Sequence, residues 1–225
     1  MEKSNKVNTS QLIGDFIQRN RKPIFISAGA IALAFIGSIV TLLLMDTFQR
    51  RAISELEELR ERYHALHFDI GEETLTSELQ QLLVDLSAFA GRSSGFVSGS
   101  AWAMYARIYS ERGEWPQAEA AWRNAAAAAA RTYLGPIALF NAAVAAEEQG
   151  RIAEAIELFG MSVSHNEPFP AAAHAQFSIG RLNETMNNRA GAIEAYRVVL
   201  ARWPEVLVWA NLAQSRIIAL ETGVY

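Results

Sequence analysis

One spacing constrains this chain more than any other feature. Ala118, Ala155 and Ala192 lie 37 residues apart, as do Trp122, Phe159 and Tyr196, and Ala106, Ala143 and Gly180. Gly113, Gly150 and Asn187 keep the same step, and both residue types tolerate a left-handed backbone. Each period reads small–x6–Gly/Asn–x4–Ala–x3–aromatic, which predicts an α-helical hairpin. The small residue lets the second helix approach the first, and the Gly or Asn closes the first helix. The Ala sits at the crossing, and the aromatic fills the space between neighbouring hairpins. A unit of this size cannot bury its apolar face alone, so successive units stack. The register places units at about 99–135, 136–172 and 173–204. A capping helix over 205–221 follows, with Val208, Leu212, Ile217 and Leu220 as its apolar marks. The alanine run 125–130 reads as an extended second helix, and the small polar stretch 91–100 reads as a loop.

Upstream of the repeats, charge is partitioned sharply. Residues 1–23 carry five basic and two acidic side chains, 24–45 carry none, and the remaining 15 basic and 22 acidic groups lie in 46–225. The uncharged stretch is 22 residues long. At about 1.5 Å per residue it matches a hydrocarbon core of about 30 Å. It is longer than the apolar region of a cleaved signal peptide and lacks a small-residue cleavage site, so it reads as an uncleaved anchor. Arg19, Arg21 and Lys22 before it, against Arg50 and Arg51 after it, place the basic head 1–23 in the cytoplasm and the acidic body across the membrane. Ala30, Ala34, Gly37 and Ser38 form a small-residue stripe on which another membrane helix could pack. Ile53, Leu56, Leu59, Tyr63, Leu66 and Ile70 predict an amphipathic juxtamembrane helix within 46–71. Leu75, Leu79, Leu82, Leu83, Leu86 and Phe89 predict a further packed helix in the domain 72–225. The expected fold class is all-α: a single transmembrane helix followed by a solenoid of helical hairpins.

The sequence carries no cysteine, which removes disulfides, thiolate metal sites, cysteine nucleophiles and a lipid on an amino-terminal cysteine. A net charge of −4 disfavours nucleic acid as a partner. His64 and His67 share a helical face without a third ligand at helical spacing, and no phosphate loop or HExxH occurs. No catalytic residue, metal or cofactor is expected, and no small-molecule substrate. The function this pattern supports is protein binding.

These residues resemble the tetratricopeptide repeat. Unit one reads Trp102-x2-Tyr105-Ala106-x2-Tyr109-x3-Gly113-x4-Ala118-x3-Trp122-x2-Ala125. Unit two keeps Leu139, Ala142, Ala143, Gly150, Ala155 and Phe159. Unit three keeps Ile179, Gly180, Ala192, Tyr196 and Pro204. The period exceeds the usual 34 or so. The resemblance implies that first helices line a concave face, into which Arg107, Phe140, Val144, His174, Phe177 and Arg181 would point. Glu147, Glu148 and Glu184 would rim it. Phe140 stands where repeats that clamp a peptide carboxylate carry lysine, which leaves unfolded or extended polypeptide as the expected ligand. The whole layout, including Asp15-Phe16-Ile17-Gln18-Arg19-Asn20-Arg21-Lys22 entering the apolar stretch, resembles the ancillary subunit of the SecYEG translocon. That resemblance implies a bacterial inner-membrane protein with a periplasmic repeat domain. It also implies contacts with the translocon and with a membrane-anchored periplasmic chaperone, handing on exported proteins. The alternative is a scaffold that assembles another cell-envelope complex for division, secretion or outer-membrane assembly.

Overall fold

The computed structural model describes residues 18–66, 72–165 and 169–223. All regular structure among them is helical. The helices are α1 (Arg21–Leu66), α2 (Glu72–Arg92), α3 (Gly95–Glu111), α4 (Trp115–Ala128), α5 (Leu134–Glu148), α6 (Ile152–Val163), α7 (Ala172–Thr185), α8 (Arg189–Arg202) and α9 (Leu207–Thr222). The chain divides into two compact units, 1–51 and 52–225.

In the larger unit each helix from α2 onward packs on the next along the chain, and first helices also touch across units, α3 on α5 and α7 on α9. That neighbour-only pattern is how stacked hairpins bury a continuous core. The three hairpin turns carry the positive φ values that the spacing predicts: Gly113 +69°, Gly150 +73° and Asn187 +57°. Each turn also closes with a backbone bond to the end of the first helix. Glu114 N–H donates to Tyr109 O, Arg151 to Ala146 O and Asn188 to Asn183 O, at 2.8–3.0 Å. Behind these turns the repeated columns are buried: Ala106, Ala143 and Gly180, then Ala118, Ala155 and Ala192, then Trp122, Phe159 and Tyr196.

Four details differ from the sequence reading. Residues 91–100 are not a loop, since α2 runs to Arg92 and α3 begins at Gly95. The small residues there serve packing instead. A Cβ at Gly99 would lie 2.5 Å from that of Ala129, and the buried Ser98 hydroxyl donates to Ala90 O at 2.8 Å. The alanine run is only partly helical: α4 ends at Ala128, and turns at 129–132 lead into α5. The segment 46–66 is no separate helix but the end of α1. Its Leu56, Leu59, Tyr63 and Leu66 are buried with Leu82, Leu83, Leu86 and Phe89 of α2, while Ile53 is exposed. Its apolar stripe thus begins the solenoid core. On α9, Ile217 and Leu220 are buried, but Val208 and Leu212 face outward.

In the smaller unit α1 carries the apolar stretch, and Ile26, Ile31, Leu33, Phe35 and Ile36 are exposed. Ala30, Ala34, Gly37 and Ser38 are exposed as well. Among the described residues no helix is long and apolar enough to cross a membrane. The span expected over 24–45 falls in part on residues 24, 25, 27–29, 32 and 40–45, whose side chains lie outside the described ones. Ile70, Leu75 and the basic head up to residue 17 lie outside them too.

The crossing geometry makes a stability prediction. Ala155 is wholly buried, whereas Ala127 is exposed. Ala155→Leu should cost about 1–3 kcal/mol by overpacking. Ala127→Leu should stay within about 0.5 kcal/mol of the parent. Denaturant unfolding of the two variants measures the difference, and equal effects would break the repeat register.

Candidate functional site

The first helices α3, α5, α7 and α9 bring most of the expected binding residues onto one surface. Phe140 (α5) and His174 (α7) face each other with ring centroids 5.1 Å apart, and Phe140 also meets Phe159 edge-on at 5.2 Å. His174 stacks flat on Trp209 of α9, at 4.2 Å and 7°. Phe177 closes the series between Trp209 at 5.3 Å and Tyr196 at 5.0 Å. The result is a ladder of rings, Phe140–His174–Trp209–Phe177, running across three first helices. Phe140, His174, Phe177 and Val144 are half-buried, so each ring contributes one part to inter-helix packing and shows another to solvent.

The cations have different fates. Arg181 forms a bidentate pair with Glu147 of the preceding unit, at 2.6 and 2.7 Å. Donating these bonds to the Glu147 carboxylate raises the Arg181 pKa further, against its partial burial. Glu147 is therefore a structural partner of Arg181 rather than a free rim charge. Glu184 repeats the arrangement one unit on, accepting from Arg216 of α9 and, at 2.6 Å, from the Tyr196 hydroxyl. Burial alone would raise the Glu184 carboxyl, but these bonds hold it below the usual carboxylate range. Arg107 is exposed on α3 and makes no ion pair among the described residues. It lines a cleft of about 220 Å³ together with Tyr63, His64, Phe96, Met104 and Tyr133. The Phe96 and Tyr133 rings stand 5.5 Å apart at its edge, and Tyr63 donates to Glu111 at 2.8 Å. Burial and the Glu111 carboxylate push the Tyr63 phenol up to about 12.

On the other side of the solenoid the second helices are tied together. Glu119 of α4 is buried and accepts from Arg123 at 2.8 Å, from Gln149 at 2.9 Å, and from Arg151 at the start of α6. Glu154 accepts from the same two arginines. A buried carboxylate bound by three donors is a clamp between units one and two.

Sequence reasoning missed Trp209. It lies 35 residues after His174, and Arg216 lies 35 after Arg181, because the link between α8 and α9 is shorter than that between α6 and α7. A search confined to the step of 37 passes over both. No group of three or more potential metal ligands occurs among the described residues. What the surface offers is aromatic area, paired charges and the exposed Arg107 guanidinium, a constellation that suits a protein partner.

Comparison with known proteins bears on the fold. Two family models, both described as tetratricopeptide repeat, match residues 104–161 and 174–205. A curated relative from Treponema pallidum (strain Nichols), named TPR repeat-containing protein, is 39% identical over 129 residues, 57% of this chain. The chain spans about half the length of that relative, 53%. The protein is thus tetratricopeptide-like, and its repeats suggest a protein-interaction scaffold.

The ring ladder has a pH signature. Burial lowers the His174 pKa below 6.5, the nearby Arg181 lowers it further, and Glu147 offsets part of the effect. The unfolded chain then binds this proton more readily than the folded one. The contribution of neutral His174 is complete above its unfolded value and is lost as pH falls through 6.5 toward the folded value. Between about pH 7.5 and pH 5.5 the parent should lose more stability than His174→Phe. Unfolding midpoints at both pH values check this, and parallel losses would show that His174 is not the group that titrates.

Proposed function

We propose that this protein is a membrane-anchored scaffold whose first-helix face holds extended polypeptide outside the cytoplasm. The observation that carries the proposal is the ring ladder with its repeated positions. Phe140 and Phe177 are 37 apart, as are Arg107, Val144 and Arg181 in turn. Extended segments of mixed sequence suit a surface that repeats partly exposed rings at one interval, with arginine or valine at a second repeated position. The cleft beside Arg107 extends the same surface toward the amino-terminal end of the repeats. Anchoring rests on the 22 uncharged residues 24–45 and on the exposed Ile, Leu and Phe side chains of α1, which in water would form a costly apolar strip. The flanking charges favour a cytoplasmic head and a periplasmic body in the bacterial inner membrane. Within that setting the ancillary translocon subunit is the role we favour. Its partners are then the SecYEG channel, emerging export clients and a membrane-anchored periplasmic chaperone.

The half-buried state of the two phenylalanines shapes the test. Truncation to alanine would damage packing, so Phe140→Leu with Phe177→Leu is the cleaner pair: it keeps apolar volume and removes the ring faces. Removing an aromatic anchor often costs about 2 kcal/mol of affinity, roughly thirtyfold. Photocrosslinkers at Val144 in intact membranes should capture translocon subunits and nascent exported chains. The double leucine variant and Arg107→Glu should lose those products while still unfolding in one cooperative transition. Capture of a single stable assembly partner, with no nascent chain, would favour the envelope-scaffold reading. A reporter fused after Tyr225 that is active only in the cytoplasm would reverse the topology.

A further inference from the structure

Arg107 and Arg181 hold the same repeat position, two periods apart, and only one of them is spent inside the fold. Arg181 is neutralised by Glu147. Arg107 is exposed and makes no ion pair among the described residues. Its ordinary partner would be Glu111, one turn on along α3. That carboxylate accepts the Tyr63 hydroxyl instead, at 2.8 Å to each oxygen. The Arg107 guanidinium is therefore left to solvent in the cleft that α1, α3 and the start of α5 enclose.

The cleft has two ends of different chemistry. Phe96, Ser100, Met104 and Arg107 follow one another on α3 at steps of four, four and three, so they share one face. From the first to the last the helix rises about 16 Å. The stripe opens on aromatic area, because the exposed Phe96 and Tyr133 rings stand 5.5 Å apart there. It ends on the guanidinium. Across from it α1 contributes Arg60 and His64, and no carboxylate occurs among the described lining residues. Glu57 does reach Arg60, at 2.6 Å, but in solvent, where such a pair is worth little and exchanges readily.

At about 220 Å³ the space is smaller than the roughly 300–1,000 Å³ of sites that enclose a small-molecule ligand. It suits one large side chain. We infer that the cleft selects an acidic, aromatic segment of a protein partner: an aromatic side chain lodges against Phe96, Tyr133 and Met104, and an aspartate or glutamate beside it pairs with Arg107. Ring on ring and sulfur on ring are favourable contacts. A guanidinium matches a carboxylate through two parallel hydrogen bonds. An extended chain advances about 3.3 Å per residue, so about 16 Å is covered by roughly five residues, and both groups come from one short segment. The inference rests on the reading above and deepens it: the first-helix face holds polypeptide, and this end of it chooses by sequence.

The probe is a short, end-blocked peptide with 4-fluorophenylalanine at its centre and aspartate on either side. Its fluorine resonance is followed as the full chain, purified in detergent, is added. A saturable shift or broadening is expected. Asparagine in place of both aspartates should weaken binding about tenfold or more. Arg107→Gln, at an exposed position, should weaken the aspartate peptide to the level of the asparagine one, so that the preference disappears. Tyr133→Ser, also at an exposed position, should weaken both peptides and keep the preference. Equal binding of the two peptides to the parent, a preference that survives Arg107→Gln, or no saturation at millimolar peptide would overturn the inference. So would phenylacetate binding as tightly as the peptide, which would make the cleft a small-molecule site. Any of these results alongside capture of exported chains at Val144 removes the selectivity of the cleft alone, whereas loss of that capture in the parent removes the reading on which it rests.

Discussion

The close approach of two helices at a small residue governs everything else in the repeat domain. Gly180 lies against the face of the Tyr196 ring so tightly that a single carbon would collide with it. The buried Ala106 and Ala143 hold the equivalent places against Trp122 and Phe159. That contact sets the distance between the helices of a hairpin, and the distance lets the large aromatic reach the first helix of its own unit, Phe159 to Phe140 and Tyr196 to Phe177. The aromatic's polar tip then organises the surface. Trp122 donates to Ser110 at 3.2 Å and Tyr196 to Glu184 at 2.6 Å, so the same pair of positions is bonded in units one and three. In unit two Phe159 has no such tip, and Glu147 turns to Arg181 instead.

Much of this was legible beforehand because it depends on volume and backbone chirality, which a single residue type declares. The turns at Gly113, Gly150 and Asn187 and the three buried columns are of that kind. The stretch 91–100 was not legible, because Gly and Ser serve both turns and tight helix contacts, and only the proximity of Ala129 decides between them. The outward position of Val208 and Leu212 was hidden because apolar periodicity marks a face without saying what covers it.

The candidate site was legible in part. The register brings Phe140, His174 and Phe177 onto one surface, and the structure adds Trp209 between the last two. Whether a ring at such a position serves packing or binding has no signature in sequence, since both need an aromatic at the same step. Arg181 illustrates the other gap. Its partner sits 34 residues earlier, and side-chain reach rather than spacing selects it.

The placement of the ion pairs also bears on how the array bends. Between units one and two the clamp ties second helix to second helix, through Glu119 and Arg151. Between units two and three, and again at α9, the ties join first helices instead, Glu147 to Arg181 and Glu184 to Arg216. A tie on one side of a stack acts as a pivot and leaves the opposite side compliant. At the first junction the opposite side is held as well, because α3 packs on α5 there. The stack is thus braced on both sides beside the cleft at Arg107, and by ion pairs between first helices where the rings are spaced.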